Sequence, residues 1–121
     1  MYQSKEIIKK IKQMENTIEE MYKSGLEKVE QGLIKESIID YLMVLSQSPN
    51  HIASLTQISY ALYKLNRLEE ALTYSTRVVE LHPDWDSYMA RADIKKAMGN
   101  FSGEEEDKNK AWDIGKIACW G

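Results

Sequence analysis

The sequence repeats at an interval of about 34 residues, and this repeat constrains the fold more than any other feature of the chain. Periods of about 20–50 residues are typical of stacked helical units. One pair of short helices buries too little apolar surface to offset the entropy lost on ordering, so each unit needs neighbours. The positions of matching class are Met21 and Leu55, Gly25 and Ser59, Gly32 and Asn66, Ser37 and Ala71, Val44 and Val78, and Pro49 and Pro83.

This pattern resembles the tetratricopeptide repeat, in which small residues lie where two helices cross and a proline follows the second helix. The stretch "ALYKLNRLEEAL", residues 61–72, matches the end of the family's first helix, the turn and the start of the second helix, with Asn66 where many members have glycine. The resemblance implies an all-α fold: a right-handed superhelix (solenoid) of antiparallel helix pairs, with about three tetratricopeptide repeats plus an N-terminal helical segment. The implied division is 1–17 for the N-terminal amphipathic segment, 18–51 for repeat 1, 52–84 for repeat 2, 85–115 for repeat 3 and 116–121 for a C-terminal tail.

The third repeat departs from the pattern. It aligns with repeat 2 only at an interval that is one residue shorter, so that Ala92 corresponds to Ser59 and Gly99 corresponds to Asn66. Glu104 then occupies the position of Ala71, where the family has a small residue. The following residues are polar, which is typical of a terminal repeat whose second helix faces water.

Apolar spacing and stop signals predict six helices and an amphipathic N-terminal segment. In that segment, Thr17 and Glu20 fit a capping box that would start a new helix, yet no glycine or proline interrupts the run. Residues 4–31 are therefore expected to form either one helix or two. The predicted helices are 18–31, 35–47, 52–65, 69–81, 86–98 and 103–115.

Composition excludes several classes of partner. The net charge is −3 and basic residues are interspersed among acidic ones, so we expect no nucleic-acid or membrane partner. No continuous apolar run suggests a signal peptide or a spanning segment. The lone Cys119 fits a reducing compartment, and a cytoplasmic location is the expectation.

No motif indicates catalysis, a cofactor or a bound metal. "GNFSG", residues 99–103, reads as a corner between helices rather than a phosphate-binding loop. His51 and His82 lack companion ligands at metal-binding spacing, so we expect solvated loop histidines. The acidic run 104–107 is expected to be a solvated helix start, where the helix dipole favours negative charge. We therefore expect a protein that is not an enzyme.

The family resemblance implies a concave groove lined by the first helix of each repeat, which holds a partner peptide or helix. We therefore expect a protein-interaction module, either an adaptor or a chaperone-like protein. The family's two-carboxylate clamp is not expected, because only Arg91 among the corresponding positions has a suitable side chain. The groove positions carried over from the family are Tyr22, Leu26, Val29, Thr56, Tyr60, Tyr63, Lys64, Met89, Asp93 and Lys96.

A self-assembling structural subunit is the alternative function. Ends of helical-repeat stacks expose apolar edges, and both ends of this chain carry apolar residues. The N-terminal end has Ile7, Ile11 and Met14. The C-terminal end has Trp112, Ile117 and Trp120. A homo-oligomer could therefore form through the terminal helices.

Overall fold

The structure is a computed structural model that describes the backbone of residues 2–120 and the side chains of residues 4–115. Within these residues the fold is all-α, as predicted, with six helices and no strand. None of the described helices is long and apolar enough to cross a membrane. The helices are α1 (Tyr2–Glu30), α2 (Ile34–Gln47), α3 (Ile52–Lys64), α4 (Leu68–Leu81), α5 (Trp85–Ala97) and α6 (Phe101–Trp120).

The helix α1 is a single helix of 29 residues, which decides between the two alternatives left open by the sequence. Thr17 does not cap a new helix. Its hydroxyl instead donates a hydrogen bond to the carbonyl of Gln13, one turn earlier in the same helix, at 2.9 Å. No glycine, proline or side-chain cap interrupts the chain near Thr17, and Gly25 lies inside the helix, which continues to Glu30.

Two residues after the end of the first helix of each pair comes a residue with positive φ, at the three positions that the sequence predicted. The φ values are 81° at Gly32, 61° at Asn66 and 80° at Gly99. Each following residue donates its N–H to a carbonyl in the last turn of the helix, which is the Schellman arrangement that closes a helix C-terminus. These bonds are Leu33 to Lys28 at 2.8 Å, Arg67 to Leu62 at 2.9 Å and Asn100 to Lys95 at 2.8 Å.

The beginning of α5 has a side-chain cap. The Asp84 carboxylate accepts a hydrogen bond from the Ser87 backbone N–H at 2.7 Å, and the Ser87 hydroxyl accepts one from the Asp84 N–H at 2.9 Å. This reciprocal capping box satisfies two amide groups that a helix start otherwise leaves unpaired. It explains why a new helix begins directly after Pro83.

The last helix was predicted with the wrong limits. It was expected over 103–115, followed by a C-terminal tail over 116–121, but α6 spans Phe101–Trp120. Its start is capped by Asn100, whose side-chain oxygen accepts the Gly103 N–H at 3.0 Å. Gly115 does not end the helix, because a glycine in an α-helical conformation weakens a helix by about 1 kcal/mol without terminating it.

The chain divides into two compact units, Met1–Ser54 and Leu55–Gly121. In the first unit, α1 packs on α2. Gly25 faces the ring of Tyr41 so closely that a Cβ at Gly25 would lie 2.5 Å from a Tyr41 ring carbon. In the second unit, α5 packs on both α4 and α6, and the Ser59 hydroxyl donates to the Ala71 carbonyl at 3.2 Å. The small residues therefore lie at helix crossings, as the sequence predicted.

Candidate functional site

The exposed face of α3 carries two large aromatic side chains. Tyr60 is 51% exposed and Tyr63 is 37% exposed, and Thr56 and Lys64 are also exposed. The Lys64 ammonium lies 5.1 Å from the centre of the Tyr60 ring, within the range of a cation–π interaction. Leu55, Ile58 and Leu62 occupy the opposite face of the helix and are buried. The assignment of Leu55 and Leu62 to the buried side is thus confirmed.

The helix α5 presents the equivalent positions of the next repeat. Asp93 and Lys96 are exposed and Met89 is half-buried, whereas Ala92 and Ile94 are buried. The second unit therefore has corresponding open faces on two of its helices, one aromatic and one charged. The charges on these faces are mixed, with Lys64 and Lys96 against Asp93.

The predicted groove residues of α1 are less open. Tyr22, Leu26 and Val29 are all half-buried. The ring centre of Tyr22 lies 5.7 Å from that of Tyr41 and 5.5 Å from that of His51. Tyr22 is thus a packing residue of the first unit on at least one side of its ring.

His51 was expected to be a solvated loop histidine, and that expectation was wrong. It is half-buried against Tyr22, and its Nδ1 accepts the backbone N–H of Ser54 at 3.2 Å. The same nitrogen lies 2.8 Å from the Ser54 hydroxyl. His51 therefore satisfies an amide in the first turn of α3, a role that its sequence spacing did not reveal.

A buried ion cluster joins α5 to α6. The Asp107 carboxylate is fully buried and receives two hydrogen bonds from the Arg91 guanidinium, at 2.8 and 2.9 Å. The Lys95 ammonium lies 3.0 Å from the same carboxylate. Burial alone would raise the pKa of the Asp107 carboxyl, but the hydrogen bonds from Arg91 and Lys95 hold that pKa below its usual value.

This cluster corrects the expectation for the acidic run 104–107. Glu105 and Glu106 are exposed, as a solvated helix start requires, but Asp107 is part of the core. The cluster also engages Arg91, which has the only suitable side chain at the positions that correspond to the family's carboxylate clamp. Arg91 already makes a bidentate pair with the Asp107 carboxylate of its own chain.

A related cluster occurs in the first unit. The Asp40 carboxylate accepts a hydrogen bond from the Ser24 hydroxyl at 3.0 Å and lies 2.8 Å from the Lys28 ammonium. The two clusters lie in repeats 1 and 3, and their members correspond position by position. Sequence reasoning missed both of them. The sequence does contain a pattern that could have revealed them, in which a polar residue, a lysine and an aspartate recur at equivalent repeat positions. The two sets are Ser24, Lys28 and Asp40, and Arg91, Lys95 and Asp107.

Tyr41 lies beside the cluster of the first unit. It is fully buried, and its hydroxyl has no hydrogen-bond partner among the residues whose side chains are described. Burial, together with the nearby Tyr22 and Asp40, raises the pKa of Tyr41 to about 12. The ring fills the space that Gly25 leaves open, so packing rather than hydrogen bonding holds this side chain.

The described side chains, residues 4–115, form no group of three or more histidine, cysteine or acidic residues that could hold a metal ion. The shifted pKa values, those of Tyr41, Arg91 and Asp107, belong to groups inside helix crossings. These shifts reflect core packing, which also perturbs titratable groups in proteins without catalytic sites.

Comparison with known proteins supports the fold. No protein-family model matches the chain, and no curated protein matches it. Solved structures do match. A MamA structure from MSR-1 is 20% identical, with a TM-score of 0.77 over 84% of this chain and 59% of the MamA chain. MamA from Desulfovibrio magneticus RS-1 is 23% identical, with a TM-score of 0.76 over 82% of this chain and 56% of its own. The chain thus spans less than two thirds of these MamA chains.

A further match is the second tetratricopeptide repeat domain of Spaghetti (RPAP3), bound to the HSP90 peptide SRMEEVD. It is 14% identical, with a TM-score of 0.76 over 85% of this chain and 98% of that domain. At these identities the likeness concerns the fold. The resemblance read from the residues is confirmed at that level: this chain has the fold of tetratricopeptide-repeat proteins.

Proposed function

We propose that the chain is a non-catalytic protein-interaction module, of the adaptor or chaperone-like kind, that binds a partner peptide or helix on the open faces of its first helices. One observation carries the proposal. The helix α3 buries Leu55, Ile58 and Leu62 on one face while it leaves Tyr60 and Tyr63 in solvent on the other. Tyrosine offers a large contact area, few rotatable bonds and a polar tip, which suits it to anchor a partner segment.

The charges beside these tyrosines favour a partner of mixed or low charge. Lys64 and Lys96 contribute positive charge and Asp93 contributes negative charge on the same set of equivalent positions. Because exposed charges are screened by salt, binding led by aromatic contacts should depend only modestly on ionic strength. A partner held by its acidic C-terminus is not expected, since Arg91 is already bound to Asp107.

The test begins with a random peptide library displayed on phage and selected on the intact chain. The selected peptide with the highest affinity is then titrated against Tyr63→Ala. Loss of a central aromatic anchor typically weakens binding by about 2 kcal/mol, or more than tenfold. Because Tyr63 is partly exposed, the same substitution should change the free energy of unfolding by less than about 1 kcal/mol.

The matched control is Phe101→Ala at the start of α6, which removes an aromatic side chain that is 65% exposed and is not one of the proposed groove positions. We expect it to retain peptide binding at temperatures where the variant is folded. Selected peptides that bind Tyr63→Ala and Tyr60→Ala as tightly as the unsubstituted chain would contradict the proposal.

A cytoplasmic location is part of the same proposal and rests on the lone Cys119.

A self-assembling structural subunit is the second candidate function. Its supporting observation is that Ile7, Ile11 and Met14 are exposed along α1. At the other end of the chain Trp112 is 61% exposed, while the side chains of Ile117 and Trp120 lie outside the described residues.

A further inference from the structure

The N-terminal half of α1 extends beyond the helix pair that it begins. The helix α1 has 29 residues, whereas α2 has 14 and the equivalent helices α3 and α5 have 13 each. The contacts between α1 and α2 lie in the C-terminal half of α1, at Tyr22, Ser24, Gly25 and Lys28. Every side chain from residue 4 to residue 17 is exposed. The repeat does not require this extension.

The extension carries a heptad seam. Ile7, Ile11, Met14, Ile18 and Met21 follow one another at alternating intervals of four and three along the chain. This spacing averages about 3.5 residues, which is the a/d pattern of helices that pair along their whole length. Ile7, Ile11 and Met14 are 49–57% exposed, so the seam is open in the single chain. Ile18 and Met21 are half-buried where the seam reaches the helix pair.

The residues beside the seam indicate which partner fits it. With Ile11 and Ile18 at a, Lys10 occupies a g position and Glu15 occupies the following e position. In a parallel pair of identical helices, g of one helix faces the next e of the other, so Lys10 meets Glu15 of the second copy twice by symmetry. An antiparallel pair would not bring these two charges together. The positions farthest from the seam, including Lys9, Lys12 and Asn16, are polar.

We propose that the exposed part of α1 binds the same segment of a second copy of this chain as a parallel two-stranded coiled coil. Ile7, Ile11 and Met14 form its seam, and reciprocal Lys10–Glu15 ion pairs set its orientation and register. The proposal does not depend on peptide binding on α3 and α5; it rests on the second candidate function, self-assembly, and names the contact through which that assembly would occur. The seam is only about two heptads long, which in isolation would not form a stable coiled coil. Here each helix is already part of a folded helix pair, so its nucleation is not an added cost of association.

The first experiment measures molar mass by sedimentation equilibrium on the intact chain, from about 10 µM to about 1 mM, a range that covers weak specific association. We expect a reversible monomer–dimer equilibrium. Lys10→Glu and Glu15→Lys should each weaken the dimer by about fivefold or more, because each places like charges at both g–e contacts. An equimolar mixture of the two variants should regain the dimer, since every contact in the mixed pair is again of opposite charge. Lys12→Glu, which makes the same charge change away from the seam, should dimerise like the original chain.

The second experiment tests the parallel register in a Cys119→Ser background. Met14→Cys places a thiol at a d position, where two in-register parallel helices bring equivalent residues within disulfide distance. Asn16→Cys places it on the outer face. We expect Met14→Cys to form a disulfide-linked dimer under mild oxidation and Asn16→Cys to remain mostly monomeric. Helicity measured by circular dichroism should be unchanged, because both positions are exposed.

Three results would overturn the proposal. The first is a chain that stays monomeric at about 1 mM, the upper end of weak specific binding. The second is a mixture of the two charge variants that associates no better than either variant alone. The third is crosslinking through Asn16→Cys at the same rate as through Met14→Cys.

Discussion

The pair α3–α4 and the pair α5–α6 solve the same packing problem with opposite chemistry. In α5–α6 the crossing is filled by Arg91, Lys95 and Asp107, held together by hydrogen bonds and ion pairs. At the equivalent positions of the preceding repeat, α3–α4 has Ile58, Leu62 and Tyr74. Ile58 and Leu62 are buried where Arg91 and Lys95 are half-buried, and Tyr74 is half-buried where Asp107 is buried, so all six side chains are at least half out of water.

The difference teaches that this crossing accepts either an apolar set or a complete ion cluster. A buried carboxylate without partners would be strongly unfavourable, but three mutually satisfied groups remove most of that penalty. The pair α1–α2 supports this interpretation with an intermediate case, in which Ser24 and Lys28 pair with Asp40. The members of each set must therefore change together, and a single substitution in either set should show it.

The largest effect is expected for Asp107→Asn. This variant keeps the shape of the side chain but removes its charge, leaving Arg91 and Lys95, which are only 13% and 16% exposed, without a counterion. Breaking a buried pair in this way should lower the free energy of unfolding by about 4 kcal/mol. Urea denaturation followed by circular dichroism measures the change.

The matched control is the triple variant Arg91→Ile, Lys95→Leu and Asp107→Tyr, which transfers the set of α3–α4. Because no charge is left unpaired, it should be more stable than Asp107→Asn.

The pH dependence of stability gives a second check. The folded-state pKa of Asp107 is lowered, so its contribution is present above the usual aspartate range and is lost as the pH falls through the folded pKa. Asp107→Asn should lack the part of the stability decrease at low pH that comes from protonation of Asp107. If Asp107→Asn were as stable as the original chain, our interpretation would be contradicted.

A smaller but still large effect is expected for Leu62→Ala in the apolar set. The side chain is 3% exposed, and its truncation leaves a cavity that should lower the free energy of unfolding by about 3 kcal/mol. Thermal and urea melts measure this loss. Tyr63→Ala, on the neighbouring exposed position, is the control and should melt close to the original chain. If Leu62→Ala were silent and Tyr63→Ala unfolded the protein, the faces of α3 would be assigned backwards.

Asp40→Asn should have an intermediate effect. Lys28 is 34% exposed, so it can turn its ammonium into water when the carboxylate is removed. The Ser24 hydroxyl can still donate to the new amide oxygen. We therefore expect a loss of about 1.5 kcal/mol, well below that of Asp107→Asn, in the same urea experiment. If Asp40→Asn and Asp107→Asn lowered the free energy of unfolding equally, the exposure of the basic partner would not determine the size of the loss.

The smallest effect is expected for Tyr41→Phe, and it should be stabilising. The buried hydroxyl has no partner among the described residues, so its removal should raise the free energy of unfolding by about 1 kcal/mol at neutral pH. The folded-state pKa of about 12 exceeds the usual 10, so the original chain loses stability as the pH rises above 10 and through 12. Denaturation at pH 8 and pH 11 compares the two proteins, and the stability gap should widen by about 1.4 kcal/mol at the higher pH. A gap that stays constant would mean that Tyr41 does not titrate as the structure indicates.

Much of the fold could be predicted because its signals are local. The three turns at Gly32, Asn66 and Gly99 require positive φ, which glycine and asparagine tolerate best, and each lies at the same point of the repeat. The buried and exposed faces of α3 follow from helical spacing alone. The corresponding tyrosine on α1 was less predictable, because Tyr22 packs against Tyr41 and His51.

The sequence by itself determined the period, the positions of the turns and the small residues at the crossings, since each depends on residues close together in the chain. Only the tertiary structure decided that α1 is one helix, that α6 continues past Gly115 and that Asp107 belongs to the core. For Asp107 the physical reason is that a buried carboxylate needs charged or hydrogen-bonding partners, and here both partners come from another helix. Arg91 is on the preceding helix, and only antiparallel packing of α5 on α6 brings its guanidinium to Asp107.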